Sequence, residues 1–133
     1  MTIFVKNKHT LEIDEFKFRC CIGKNGSTKY KKEGDKKTPK GTFQVENLYF
    51  RKDRLAKPLT LLKCIEIKKD MGWCDDLHFP KKYNKLLKIE KKIKHEKLKR
   101  KDNKYDFLIP IKYNFKKPVT GKGSCIFIHL TKD

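Results

Sequence analysis

The chain has 133 residues, of which 35 are lysine or arginine and 16 are aspartate or glutamate, so its formal net charge is +19. This length suits one domain with a hydrophobic core, and no apolar run approaches the roughly 20 residues of a membrane-spanning helix. The charge would suit nucleic acid, anionic lipid or an acidic polymer such as cell wall. Only four basic residues are arginine, the residue that clamps phosphates and reads bases. We therefore interpret the lysine excess as a general surface property and expect no nucleic-acid partner.

Short strand-forming runs recur along the chain and alternate with turn signals. Two short alternating segments within residues 1–16 surround Asn7-Lys8-His9, where they predict a hairpin, and they lack the continuous apolar core of a signal peptide. The strand-forming runs are TIFVKN, FKFRCCIG, TFQVENLYF, LLKCIEI, DFLIPIKY and CIFIHL, and the turn signals include KNGS, EGDKKTPKG, KKP and GKGS. This alternation predicts a mainly β fold in a single domain that spans residues 1–133.

Residues 33–43, EGDKKTPKGTF, place several conformational demands on one turn. Gly34 and Gly41 permit positive φ angles, and Pro39 fixes its own φ. Thr38 precedes the proline and is pushed towards extended geometry. Taken alone, this pattern predicts a hairpin connection.

A tryptophan stands beside two adjacent acids in residues 71–76, MGWCDD. Neighbouring acids in a loop are usually solvated or cap nearby backbone groups, so Asp75 and Asp76 alone carry little functional information. Trp73 beside them predicts a partly buried aromatic wall.

Charge is densest in residues 81–101, KKYNKLLKIEKKIKHEKLKRK. Leu86, Ile89, Ile93 and Leu98 form an imperfect helical stripe. The segment is therefore predicted to be a short helical or irregular excursion from the sheet. The competing interpretation is a basic arm that binds a polyanion.

The last predicted strand lies within residues 121–130, GKGSCIFIHL, and carries a histidine. Side chains alternate between the two faces of a strand, so Ile126, Ile128 and Leu130 predict a core face. His129 is then expected on the opposite face, near the strand end, where catalytic residues often lie.

The chain has five cysteines, an odd count that leaves at least one thiol free if any pair forms. No spacing typical of a zinc site occurs, and most of these cysteines are interpreted as small buried apolar residues. Cys125 is four residues from His129, which is roughly 13 Å along a strand. A thiol and its base need hydrogen-bond reach, so Cys125 is interpreted as packing beside the site. The cysteines are Cys20, Cys21, Cys64, Cys74 and Cys125.

Taken together, these segments resemble the L,D-transpeptidase catalytic domain of bacteria. The resemblance is to the branch that carries, in order, an RC-x-x-G strand, an EGD-x-x-TP-x-G-x-F turn, a GWCDD loop, an HE…YD stretch and a GxGSxIFxH strand. The motifs fall at Arg19-Cys20-Cys21-Ile22-Gly23, Glu33-Gly34-Asp35 with Thr38-Pro39-Lys40-Gly41-Thr42-Phe43, Gly72-Trp73-Cys74-Asp75-Asp76, His95-Glu96 with Tyr105-Asp106, and Gly121-Lys122-Gly123-Ser124-Cys125-Ile126-Phe127-Ile128-His129. Their joint order and spacing, across residues 18–130, make the resemblance specific.

The resemblance implies a β-sandwich that uses a cysteine nucleophile, without a metal or organic cofactor, on peptidoglycan stem peptides in the periplasm or cell envelope. The thiol attacks the bond between the third and fourth residues of a stem peptide, so that a thioacyl-enzyme forms and D-alanine leaves. An amine of another stem then attacks the thioacyl-enzyme to give a 3–3 cross-link. Water as the acceptor gives L,D-carboxypeptidase activity instead. His129 matches the family histidine that activates the thiol. The residues expected to bind substrate are Trp73, Asp75, Asp76, Gly123 and Ser124.

One family motif has no counterpart in the chain. In the family, a short loop and a T-x-G-C type motif follow the histidine strand and supply the nucleophile and oxyanion-stabilising N–H groups. Only four residues follow His129 here, so we expect the C-terminal part of the domain to be missing and this chain to be inactive. The alternative is a catalytically dead basic module that binds peptidoglycan or another polyanion. Cys20 and Cys74 match family cysteines outside the nucleophile position, and a disulfide between them is an open alternative to two free thiols.

Overall fold

The computed structural model describes residues 1–132, which form short strands joined by turns. This range contains no helix and hence none that could cross a membrane. The predicted mainly β fold is confirmed. The twelve strands are β1 (Ile3–Asn7), β2 (Thr10–Ile13), β3 (Phe16–Arg19), β4 (Ser27–Thr28), β5 (Thr38–Pro39), β6 (Leu48–Phe50), β7 (Cys64–Glu66), β8 (Met71–Cys74), β9 (Leu86–Lys88), β10 (His95–Lys97), β11 (Phe107–Pro110) and β12 (Phe127–His129).

The strands form four sheets, with the orders β1-β2-β3, β4-β5, β12-β11-β6-β7 and β10-β8-β9. The predicted N-terminal hairpin is present: β1 and β2 pair antiparallel. The backbone N–H of His9 donates to Oδ1 of Asn7 at 2.9 Å across the turn. Strand β3 continues this hairpin into a three-stranded antiparallel meander.

Residues 33–43 do not close a hairpin, which corrects the sequence-based prediction. Strand β5 runs parallel to β4, with Thr38 opposite Ser27, and the chain between them curls back before β5 begins. The carboxylate of Asp35 accepts backbone N–H groups from Lys32 and Lys37 at 2.9 Å each and holds this curl. Gly34 and Gly41 do adopt positive φ, and Thr38 is extended, as their sequence positions predict.

The hydrophobic core lies where the sheet β12-β11-β6-β7 meets the sheet β10-β8-β9. Strands of both sheets contribute, and Tyr49 of β6 meets Trp73 of β8 edge-to-face with ring centroids 6.3 Å apart. Full burial of such a side chain stabilises the fold by roughly 1.5–3 kcal/mol. The buried cluster consists of Tyr49, Ile67, Trp73, Leu98, Tyr105 and Leu108.

The segment 81–101 contains turns and two short strands, and the helical alternative is absent from it. Strands β9 and β10 pair with opposite edges of β8, so their backbone groups bond to β8 and not within a helix. Ile93 and Leu98 are fully buried, whereas Leu86 is exposed. The apparent helical stripe is therefore divided between different environments.

The core-facing side of β12 is the opposite of the one predicted. His129 pairs with Leu108, which also pairs with Tyr49 on the other side of β11, and directly paired residues share a face of a sheet. Leu108 and Tyr49 belong to the buried cluster, and Phe127 packs against it. His129 thus lies at the end of the core-facing side. Alternation could not identify the core face, because the adjacent residues Phe127 and Ile128 place an apolar side chain on each face of β12.

All five cysteines are free thiols. Cys74 is fully buried in β8, and the thiol of Cys20 instead lies 3.9 Å from the carbonyl oxygen of Asn7. The suggested disulfide between Cys20 and Cys74 is therefore absent from the structure.

Candidate active site

His129 is the last residue of β12, and its side chain is exposed. Its Nδ1 lies 2.6 Å from the backbone carbonyl oxygen of Leu130. A carbonyl oxygen only accepts hydrogen bonds, so Nδ1 carries the proton of the neutral ring and Nε2 keeps the lone pair. An exposed imidazole in this tautomer is suited to accept a proton at Nε2.

Tyr105 supports the His129 ring from the core side. The two rings meet edge-to-face, with centroids 5.3 Å apart and an interplanar angle of 74°. The Tyr105 hydroxyl donates to Oε1 of Glu96 at 3.2 Å, and the guanidinium of Arg100 lies 5.0 Å from the Tyr105 ring centroid. Burial, together with the Glu96 carboxylate, raises the pKa of Tyr105. The phenol therefore stays protonated and fixed as a donor while it packs against the histidine.

A row of aromatic rings connects His129 with Trp73. Phe127 meets Trp73 at a centroid distance of 5.3 Å and Tyr105 at 5.9 Å, both edge-to-face, and Tyr105 then meets His129. Trp73 is only 3% exposed, so it is more deeply buried than the partly buried wall predicted from the sequence. The contacts that connect it with the histidine run through Phe127 and Tyr105.

Asn84 joins β8 to the loop that precedes β12. Its Oδ1 accepts the Trp73 indole N–H at 2.9 Å and the Cys125 backbone N–H at 3.2 Å. Its Nδ2 donates to the carbonyl oxygens of Asn114 at 2.7 Å and Tyr113 at 3.2 Å. Asn84 is buried and adopts a left-handed φ of 54°, a conformation that asparagine tolerates well. One side chain thus satisfies four polar groups and fixes the loop against the tryptophan.

A second buried network holds the same loop through Glu33 of the EGD motif. Oε2 of Glu33 accepts the Ser124 hydroxyl at 2.7 Å and also bonds the Tyr83 hydroxyl. The Tyr83 oxygen in turn accepts the backbone N–H of Gly123 at 3.1 Å. Burial, with the Glu33 carboxylate, raises the pKa of Tyr83. Gly123 and Ser124 therefore point their polar groups into the protein.

Lys31 and Asp35 form an ion pair beneath this loop. The Lys31 ammonium lies 2.6 Å from Oδ1 of Asp35, and the lysine is almost fully buried. Partial burial raises the pKa of Asp35, but the Lys31 hydrogen bond and two backbone N–H groups outweigh this effect and lower it to about 2. A Cβ on Gly123, whose φ is 108°, would lie 2.9 Å from Cγ of Lys31. The lysine stem and the backbone conformation together require glycine there.

The two acids of the GWCDD loop have different environments. Asp76 is buried, and its oxygens accept the backbone N–H groups of Lys94 at 2.8 Å and His78 at 2.9 Å. These bonds lower the pKa of Asp76 and show it to be a support for the loop. Oδ2 of Asp75 lies 3.6 Å from the Lys94 ammonium. Its Oδ1 is buried and, within residues 1–132, has no hydrogen-bond partner.

The comparison with protein families identifies the domain. The family model described as the L,D-transpeptidase catalytic domain (YkuD) matches residues 1–133. The chain belongs to this family. Members of the L,D-transpeptidase family act on peptidoglycan and are typically cell-envelope proteins. No curated protein and no solved structure matches the chain.

The thiols of this L,D-transpeptidase domain differ in their surroundings. Cys125 has a left-handed φ of 55°, and burial raises its pKa. Its thiol lies 3.9 Å from the carbonyl oxygen of Trp73, so the thiol contacts backbone and not His129. Burial also raises the pKa of Cys74 and of Cys20. These three thiols are poor sources of thiolate.

Cys21 is the exposed thiol among the five. Its Sγ lies 3.4 Å from the hydroxyl oxygen of Thr131, two residues beyond His129. The Arg19–Gly23 motif therefore lies alongside the chain that follows the histidine strand.

Two open surface hollows contain no residue predicted to act in the L,D-transpeptidase site. A hollow of about 580 Å³ lies beside β6 and β7 and includes Arg54 and Cys64. A second, of about 490 Å³, includes Glu96 and Arg100 and so adjoins the support of Tyr105. Within residues 1–132, no group of three or more His, Cys, Asp or Glu side chains is placed to hold a metal ion.

The structure divides the predicted site residues into separate groups. Gly123 and Ser124 lie in the buried loop before β12, to which Asn84 links Trp73. Asp75 and Asp76 lie next to Lys94. His129 lies at the exposed end of β12. Sequence reasoning missed the side chains that link and support these groups. Glu33, Glu96 and Tyr105 belong to the motifs of the family resemblance and could have been considered. Tyr83 and Asn84 lie in the charged segment 81–101, where no pattern marks them. The missed residues are Glu33, Tyr83, Asn84, Glu96 and Tyr105.

Proposed function

We propose that this L,D-transpeptidase-family chain binds peptidoglycan stem peptides and that its His129 is placed to act as the general base when a cysteine thiol performs acyl transfer. The observation that carries the proposal is the 2.6 Å contact between Nδ1 of His129 and the Leu130 carbonyl oxygen, from which we infer that Nδ1 carries the proton and Nε2 keeps its lone pair. A neutral imidazole exposed at a strand end is the group that thiol activation needs.

In the proposed reaction, Nε2 of His129 takes the proton of a cysteine thiol. The thiolate attacks the carbonyl carbon between the third and fourth residues of a stem, and the protonated imidazole returns its proton to the departing D-alanine amine. An amine of a second stem then attacks the thioester and forms the 3–3 cross-link, with the thiol regenerated. Water in place of the amine gives L,D-carboxypeptidase activity. None of these steps requires a metal or organic cofactor.

We assign the substrate-binding role mainly to Asp75. Its buried Oδ1 has no partner among the described residues, and an acceptor in this state gains free energy when a donor reaches it. We assign Trp73, Asp76, Gly123 and Ser124 to shaping the site, because their polar groups already bond to protein. We place this activity at the cell envelope, in the periplasm.

Residues 1–133 do not contain the nucleophile motif of the family, since none of the four residues after His129 is cysteine. We therefore propose that residues 1–133 on their own bind stem peptide without turnover. The reading frame of the source DNA beyond codon 133 tests where the thiol comes from: a following Thr-x-Gly-Cys codon run supplies the cysteine that His129 would activate.

The binding proposal is tested with isotope-labelled chain and a soluble disaccharide-tetrapeptide. We expect NMR shifts at His129 and Asp75, a weaker interaction for Asp75→Asn, and no D-alanine in the mixture by mass spectrometry. His9, an exposed histidine in the N-terminal turn, provides the matched control: His9→Ala should leave the binding curve unchanged. Shifts scattered away from the site, or D-alanine released by this chain, would contradict the proposal.

A second candidate is a binding module that holds peptidoglycan, or another polyanion, through charge alone. The formal net charge of +19 favours it. Retention on isolated cell wall should then fall steeply with added salt, because exposed charges are screened. Retention that depends on Asp75 and not on salt would favour the stem-peptide site instead.

A further inference from the structure

One face of the N-terminal meander β1-β2-β3 is wholly apolar. Residues paired directly across an antiparallel sheet lie on the same face, and the register of this meander aligns two apolar rows. Its opposite face carries Phe4, Glu12 and Lys17 in one row. The apolar rows are Ile3–Ile13–Phe16 and Val5–Leu11–Phe18.

This apolar face is accessible to solvent. Phe16 is 61% exposed and Phe18 is 49% exposed, and Val5 and Ile3 are exposed as well. Within residues 1–132 the three strands pack on one another and on no other strand. Soluble proteins seldom leave contiguous apolar surface of this kind open unless it binds something.

The charge of the chain argues against a second copy as the occupant. Two molecules that each carry a formal charge of +19 repel each other. A partner with an apolar layer and a negatively charged surface would match both the apolar face and the positive charge of the chain.

We propose that the apolar face of the meander docks on an anionic phospholipid bilayer. The end of the sheet near the β1–β2 turn is basic: Lys8 lies in the turn and Arg19 in the last paired row, and Lys6, which pairs with Glu12 at 3.3 Å on the opposite face, precedes the turn. The row containing Phe18 adjoins this end, so its aromatic ring enters the bilayer interface beside cations that meet lipid phosphates. The acidic pair Asp14 and Glu15 lies at the other end of the sheet. We therefore expect the docked face to tilt so that its basic end is nearer to the lipid phosphates.

The test is co-sedimentation of the full chain with vesicles of phosphatidylglycerol and phosphatidylcholine, with pure phosphatidylcholine vesicles alongside. We expect binding to the anionic vesicles, weakened about tenfold or more by Phe16→Ser with Phe18→Ser, since both rings lose their buried area in lipid. Phe4→Ser is the matched control, because Phe4 is 58% exposed on the opposite face of the same sheet. It should change the affinity less than about twofold.

Each outcome decides the proposal. Loss of vesicle binding in the double variant but not in Phe4→Ser, with unchanged circular dichroism, supports it. Equal loss in both, no loss in either, or no binding by the wild type overturns it. A wild type that elutes as a dimer, and as a monomer after the double substitution, assigns the face to a second copy and also overturns it.

Discussion

The ring of His129 lies edge-on against the ring of Tyr105, with centroids 5.3 Å apart. The histidine is exposed, but the tyrosine that contacts it is buried and bonded to Glu96. The position of the proposed base is therefore set by a side chain that is itself fixed at both its ring and its hydroxyl.

Tyr105 variants should separate these two contributions. Tyr105→Phe keeps the ring and loses the bond to Glu96, so we expect a loss of ~1 kcal/mol in the free energy of unfolding and a His129 ring signal close to wild type. Tyr105→Ala removes the ring, and we expect a loss of ~3–5 kcal/mol and a shifted His129 signal. Urea unfolding and NMR of the imidazole protons measure both effects. A His129 signal that is the same in all three proteins would show that the ring contact does not fix the histidine.

Asn84→Ala should destabilise the protein by ~2 kcal/mol or more, because the indole N–H of Trp73 and the backbone N–H of Cys125 lose their buried acceptor. Asn25 is the matched control, since its side-chain amide also donates to a backbone carbonyl but is exposed. Asn25→Ala should cost less than ~0.5 kcal/mol in the same urea experiment. Similar losses in both variants would mean that the buried hydrogen bonds of Asn84 contribute no more to stability than the exposed one of Asn25.

The five thiols should react with iodoacetamide in an order set by exposure. We expect Cys21 to be modified first, and Cys74 and Cys125 last and only as the pH is raised, because burial raises the pKa of both. Mass spectrometry of peptides after timed labelling gives the order. Cys21→Ser should abolish the fast phase, and early modification of Cys125 in the folded protein would contradict this assignment.

Asp35 should make stability depend on pH in the acid range. Its pKa is lowered to about 2 in the folded protein, below the ordinary value near 3.9. The stabilisation is therefore present above about pH 4 and is lost as the pH falls through about 2. We expect wild type to exceed Asp35→Asn by ~1–2 kcal/mol at pH 6 and the difference to narrow towards pH 2. Thermal unfolding across this range measures it, and a difference independent of pH would exclude a role for the Asp35 charge.

Sequence patterns predicted the parts of the structure that depend on local chemistry. Asn7-Lys8-His9 closes a hairpin, and alternating apolar runs gave the mainly β fold. The face of His129 could not be predicted, because Phe127 and Ile128 are both apolar and alternation does not rank them. The role of Asn84 was equally hidden, since its partners lie in other segments and nothing in a lysine-rich stretch marks a residue with four tertiary hydrogen bonds.

The Glu33 carboxylate also has a consequence for how the chain folds. It bonds Tyr83, 50 residues away, and Ser124, 91 residues away, so both contacts require the closure of long loops. Such closures cost more entropy and form more slowly than local pairings such as β1 with β2 or β8 with β9. We therefore expect the loop before β12 to become ordered after the hairpins, once Glu33 has met both of its distant partners.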